Sequence, residues 1–265
     1  MKLLPVALLV LCAAALAAWL TNPAPLAPST DVQELAEDPD SHLRRREAET
    51  AQVRSIVPGA EKHIRWAAKP GERTERVLVY LHGFSATRQE IAPVPERVAE
   101  ALGANLFETR LSGHGLEGGR LENVLAEDWL DDGAEALAIG KMLGERLILM
   151  GTSTGATLAL AMAPHPDFAQ VESLVFLSPN FHPAAAGSSL MTGPFGPQII
   201  SLSTGATHQW EPANELQAKY WTTSYSSTSL IQMMRLVDLA VELTPEARVD
   251  SALFIYSPAD EVVSV

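Results

Sequence analysis

The chain has 265 residues, 32 of them acidic and 19 basic, and a formal charge of −13. That charge repels phosphate backbones and excludes nucleic-acid binding as a main activity; the lone Cys12 excludes a disulfide framework, a Cys-based zinc site and an iron–sulfur cluster. With 47% apolar residues the chain has enough material for a sizeable core, and its length fits one large domain or one domain with an insertion.

Residues 3–20 form an 18-residue run without a charge, preceded by Lys2. As a helix this run spans about 27 Å, just short of a bilayer core of roughly 30 Å. The flank at residues 31–40 is acidic, so the charge asymmetry puts the N-terminus inside and the body outside the cytoplasmic membrane. Residues 1–21 are expected to be a signal peptide or an N-terminal membrane anchor, with Ala15-Leu16-Ala17 open to cleavage. The protein is then exported: periplasmic, anchored to the outer face of the cytoplasmic membrane, or secreted. Leu11 stands where a lipid-modified Cys12 needs a small residue, so Cys12 reads as an apolar residue of the signal. Residues 22–40, Pro- and Ala-rich and then acidic, read as an extended tether. A short helix is expected over 41–50, with Arg44, Arg45 and Arg46 on a solvated face.

The remaining chain, residues 41–265, alternates strand and helix. Apolar runs at 76–81 (RVLVYL), 105–111, 146–150 (RLILM), 173–177 (SLVFL) and 251–256 (SALFIY) suit buried strands. Helical patterns lie between them at 90–102, 121–143 and 155–162. Asp128, Asp131 and Asp132 read as the acidic, solvated face of the second of these helices. Strands separated by helices predict a doubly wound, mostly parallel sheet. The rhythm is lost over about 180–243, which reads as a lid insertion with a helix at 229–242. Met191, Phe195, Ile199, Ile200, Trp210, Tyr220 and Trp221 are its candidates for lining an acyl pocket.

Directly after the strand RLILM comes Gly151-Thr152-Ser153-Thr154-Gly155, and directly after that a helix. This is G-x-S-x-G in a strand–turn–helix setting. A serine there stands on a sharp, strained turn with its hydroxyl above the sheet edge, and glycines two residues to either side tolerate the close approach of strand and helix. The N–H of Thr154, at the helix start, points at a developing oxyanion. Ser203-Thr204-Gly205 has no Gly at position 201 and no buried strand before it, so it reads as a lid turn.

Four segments carry a family resemblance: LHGF (81–84), RLSGHG (110–115), GTSTG (151–155) and SPADEVV (257–263). The chain resembles α/β-hydrolases of the monoacylglycerol-lipase and serine-aminopeptidase-like group from about residue 60 onward. The resemblance implies an α/β-hydrolase fold, a second oxyanion N–H from Phe84, a structural His82, and His114 as a hydrogen-bonding scaffold. It also implies a catalytic acid after the strand SALFIY. Asp260 is the first candidate and Glu261 the second. No metal or organic cofactor is implied.

The triad order of this fold is Ser, acid, His. Five residues follow Asp260 and none is His, whereas a further strand and a His-bearing loop need ~20 residues. The chain is therefore expected to stop before its catalytic His, its C-terminal strand and its C-terminal helix. In this 265-residue form it is expected to be of low stability and little activity. Two alternatives stand beside this: His114 or His208 as the base, or a non-catalytic hydrolase-fold binding protein. The expected activity is that of a serine hydrolase, a carboxylesterase or monoacylglycerol lipase-like enzyme cleaving small ester or lipid substrates through an acyl-enzyme. A serine peptidase or an acyltransferase is the runner-up among enzymes.

Overall fold

The runs RVLVYL and RLILM become the two central strands of a six-stranded sheet in the computed structural model. Residues 12–17, 20, 22–185, 187–260 and 262–263 are described. Most of the expected signal, including Lys2, and the second acid candidate Glu261 lie outside them. Residues 12–17 are helical and exposed, and among the described residues no helix is long and apolar enough to cross a membrane.

In chain order the strands are β1 (His63–Arg65), β2 (Thr74–Leu81), β3 (Asn105–Glu108), β4 (Gly144–Thr152), β5 (Val171–Leu177), β6 (Thr207–Gln209), β7 (Ser224–Ser226) and β8 (Ser251–Ile255). The helices are α1 (Pro39–Val53), α2 (Val94–Leu102), α3 (Ala126–Leu143), α4 (Thr154–Ala161), α5 (Gly196–Thr204), α6 (Glu215–Tyr220) and α7 (Thr228–Leu243). The sheet order is β1-β3-β2-β4-β5-β8, parallel throughout except for β1. The predicted parallel, doubly wound sheet is thus present, and it gains an antiparallel edge strand from the short polar segment His63–Arg65.

Successive side chains of a strand point to opposite faces. Val77, Val79 and Leu81 of β2 and Leu147 and Leu149 of β4 meet α3, α4 and α7 in the main core. Leu78, Tyr80, Leu106 and Met150 face the other way, onto Ala99 of α2. Each fully buried aliphatic side chain contributes about 1.5–3 kcal/mol. Both faces are thinly covered at β8, where Leu253, Phe254, Ile255 and Tyr256 are each about half exposed. Nothing pairs with the outer edge of β8 among the described residues.

Helix α3 starts later than the pattern suggested. Leu121 and Asn123 have positive φ (51° and 64°), so the chain turns before Ala126, and the Asp128 carboxylate then accepts the Leu125 N–H at 2.8 Å. Asp132 corrects a second expectation. It is buried, with Lys62 at 3.4 Å and the Ser112 N–H on its carboxylate. Lys62 also bonds Glu135, which holds His42 (2.8 Å) and Arg46 (3.2 Å) of α1. This buried cluster fastens α1 to α3.

The Pro-rich segment is extended, as its prolines dictate, and runs along the body. Leu26 enters the main core, the Ala24 carbonyl accepts from Arg235 (2.9 Å), and the Asp31 carbonyl accepts from His165 (3.1 Å). Over the expected lid, β6 and β7 form an antiparallel ribbon, and α7 belongs to the body through Leu236, Leu239 and Ala240. Ser203 and Thr204 are the last turn of α5, with Gly205 (φ 74°) ending it, and not a free lid turn.

Candidate active site

Ser153 is the hinge between β4 and α4. Its φ of 50° and ψ of −116° lie where non-glycine residues are strained, and surrounding bonds hold it there. The Ser153 N–H donates to the Leu177 carbonyl of β5 (2.9 Å), and its own carbonyl accepts from Ala156 (3.0 Å) and Asn180 (3.2 Å). The side chain is partly exposed. The flanking glycines are dictated by contact. A Cβ on Gly155 would sit 2.0 Å from the Leu81 carbonyl oxygen, and one on Gly151 would sit 2.4 Å from the Ala156 nitrogen. Gly155→Ala is therefore expected to cost about 3 kcal/mol of stability, since α4 must move off β2. Urea unfolding measures it, and an unchanged midpoint would contradict this steric reading.

The turn 82–86 lies against the serine, so close that a Cβ on Gly83 would be 3.4 Å from Ser153 Cβ. Within the turn, the Gly83 N–H goes to Glu90 (2.7 Å), the Ser85 N–H to His114 Nε2 (3.1 Å) and the Ala86 N–H to the Gly83 carbonyl (3.2 Å). The N–H of Phe84 has no hydrogen-bond partner among the described residues, and neither has that of Thr154. The first N–H groups of a helix lack intrahelical acceptors and carry partial positive charge. Two unengaged donors thus lie in the residue after Ser153 and in the turn packed against it.

His82 and His114 are fully buried. His82 Nε2 accepts the Leu111 N–H (3.0 Å) and Nδ1 donates to the Gly83 carbonyl (2.9 Å). His114 Nε2 accepts from Ser85, and Nδ1 donates to the Ser112 carbonyl (3.0 Å). Both rings are neutral and have both nitrogens committed. Burial presses His82 well below the usual imidazole range and His114 down to about 4. Neither is free to take a proton from Ser153. His208 stands on the ribbon, its ring 5.2 Å from that of Tyr225, which in turn meets Phe84 edge-on at 5.1 Å.

Asp260 follows β8 on the same sheet edge as Ser153, with β5 between their strands. Its Oδ1 accepts from the backbone of Val263 (3.1 Å) and Val262 (2.9 Å), which hold the carboxyl below its ordinary value. Among the described residues no three His, Cys, Asp or Glu side chains cluster as a metal set.

Glu90 joins the site unannounced by any sequence motif. It ends a short 3₁₀ turn, Arg88–Glu90, at the head of the stretch 90–102 that carries a helical pattern. Its Oε1 accepts from both the Gly83 N–H and the Tyr80 hydroxyl (2.6 Å), and Tyr80 is in turn 2.8 Å from Thr152 Oγ1. Burial raises its carboxyl to about 7.

A cleft of about 480 Å³ opens beside the turn, lined among others by Leu116, Glu117, Arg120, Lys219, Tyr220 and Trp221. Of the expected acyl-lining residues only Tyr220 and Trp221 border it. Ile200 is buried in the lid, and the walls are largely polar. The cleft meets the turn 82–86 where the Thr222 N–H donates to the Ser85 carbonyl (2.7 Å).

A model described as the alpha/beta hydrolase family matches residues 78–264. No curated protein matches the chain. Among solved structures it is similar to a metagenome-derived lipolytic enzyme from the work on LipS and LipT, at 22% identity and TM-score 0.63, covering 79% of this chain and 80% of that one. It is also similar to a soluble variant of the monoglyceride lipase of Saccharomyces cerevisiae, at 14% identity and TM-score 0.51, covering 91% and 82%. A third is the monoacylglycerol lipase of Paleococcus ferrophilus, at 12% identity and TM-score 0.50, covering 74% and 88%.

Proposed function

We propose that this chain, which belongs to the alpha/beta hydrolase family, is a serine hydrolase that cleaves carboxylic esters through an acyl-enzyme. The observation that carries this reading is Ser153, held at φ 50° at the strand–helix hinge, with unengaged backbone donors in the residue after it and in the turn packed against it. The Ser153 hydroxyl attacks the ester carbonyl. The oxygen of that carbonyl becomes an anion in reach of the Phe84 and Thr154 N–H groups, which are worth most where water is excluded. Collapse expels the alcohol, and water then attacks the acyl-serine by the same route in reverse. Asp260 is the anion that orients and steadies a histidine as it takes and returns the serine proton.

That histidine is not supplied by His82 or His114, whose nitrogens are spoken for. We assign it to a segment laid along β8, whose outer edge is unpaired among the described residues and whose apolar side chains are about half exposed. Small esters and monoacylglycerol-like lipids are the substrate class, in keeping with the fold shared with lipases. The acyl-enzyme could equally pass its acyl group to an amine or alcohol, or arise from a peptide. Export, and a tether to the outer face of the membrane, rest on the uncharged run and its flanking charges.

The commitment of both ring nitrogens of His82 and of His114 favours a second reading, a non-catalytic binding protein on the same scaffold. A fluorophosphonate probe separates the two. The full-length protein is expected to be labelled at Ser153, located by peptide mass spectrometry, with labelling lost on heat denaturation. No labelling of native protein would favour the binder.

A further inference from the structure

We propose that Glu90 is a positioning residue for ester hydrolysis at Ser153, fastening the oxyanion turn and the nucleophile's strand to one carboxyl oxygen; this rests on the serine-hydrolase reading above. The oxyanion donor Phe84 sits on a turn that begins at Gly83, the residue with the greatest backbone freedom. A donor on so free a segment needs its neighbours fixed. His114 takes the N–H on one side of Phe84, and Glu90 Oε1 takes the N–H on the other at 2.7 Å.

The same Oε1 reaches the second half of the site. The Tyr80 hydroxyl donates to it at 2.6 Å, and with its proton so committed Tyr80 accepts from Thr152 Oγ1 at 2.8 Å. Thr152 immediately precedes Ser153. One oxygen therefore ties the peptide before the donor to the residue before the nucleophile, and so sets the gap between them. Glu90 Oε2 would lie 3.0 Å from a Cβ on Gly83, tighter than an ordinary contact, so a side chain there would press on the carboxyl. Preorganised donors lose most of their value when displaced, and a shift of about 1 Å costs on the order of 100-fold. Both ionisation states of the carboxyl keep Oε1 as an acceptor, and so does an amide oxygen.

The test compares E90A, E90Q and E90D in the full-length protein, with p-nitrophenyl butyrate as substrate and fluorophosphonate as active-site label. E90A is expected to lower kcat about 100-fold with KM changed by less than about 3-fold. E90Q, which keeps the acceptor, is expected to restore kcat to within about 5-fold of the natural protein. A merely structural role would lower the melting temperature of both variants and leave kcat per labelled site unchanged. Natural kcat in a folded E90A overturns the positioning role and leaves the serine-hydrolase reading standing. A natural protein that neither hydrolyses the ester nor takes the label overturns both. Should E90A not fold, E90D decides, because it withdraws the carboxyl by one methylene. A lowered kcat at natural KM then supports the proposal, and an unchanged kcat overturns it.

Discussion

Ser153→Ala is expected to lower kcat for ester hydrolysis on the order of 10⁵- to 10⁶-fold while leaving the fold and its melting temperature in place. The size follows from what remains. Without the hydroxyl no acyl-enzyme forms, and only binding and the two N–H donors act, worth roughly 10³–10⁴ over water. The structural neutrality follows from the contacts. Ser153 is held through its backbone, by Leu177, Ala156 and Asn180, and alanine keeps all three bonds. Its Oγ bonds nothing among the described residues, so removing it strands no partner. Steady-state kinetics beside a thermal melt checks both halves. Retained hydrolysis in a folded variant would remove Ser153 from the mechanism.

Lys62→Met is expected to destabilise the protein by about 3–5 kcal/mol, the range for breaking a buried ion pair from one side. Lys62 lies between Asp132 and Glu135, and all three side chains are nearly inaccessible. Burial alone would raise the Glu135 carboxyl. The Lys62 ammonium outweighs it, with His42 and Arg46 adding, and holds the group at about 2 against its ordinary 4.5. A carboxyl lowered by folding contributes stability above its unfolded value, and that contribution is lost as pH falls through the folded one. The natural protein should therefore lose stability between about pH 4.5 and 2 as Glu135 protonates. In the variant the two carboxylates lose the ammonium between them, with His42 and Arg46 left on Glu135 alone, and neutralising them becomes more favourable, so mild acid should narrow the gap to the natural protein. Urea midpoints at pH 7 and pH 5 test this, and a deficit that stays constant or widens in acid would contradict it.

The parts of the fold that were legible in the sequence are those where one local rule decides. Apolar runs of five to seven residues separated by helical patterns suit strands, and four of the five took central or near-central places; the fifth became the exposed edge strand β8. The elbow was legible because its glycines answer to backbone atoms 2.0–2.4 Å away, leaving no other residue able to stand there. Phe84 and Asp260 came through family resemblance and not through local chemistry. What escaped depends on partners far along the chain. Asp132 shares the helical spacing of Asp128 and Asp131, and nothing in that spacing reveals Lys62, 70 residues earlier. Glu90 opens what reads as an ordinary amphipathic helix, and only the folded turn brings Gly83 onto its carboxyl. The strands β1, β6 and β7 are three residues each, too short and too polar for a period of two to show. The acyl-pocket residues were chosen for apolarity alone, which does not separate a lining residue from one packed beneath it.

The Phe84 ring is a junction. His114 from the loop after β3, Trp129 from α3 and Tyr225 from the ribbon each meet it near right angles or tilted, at 6.0, 6.1 and 5.1 Å. Phe84 is thereby a keystone wedged among three separate stretches of chain. Its backbone cannot shift without disturbing all three, and each of the three has a lever on it. A change at Tyr225 on the ribbon accordingly reaches the turn beside Ser153 through the Phe84 ring.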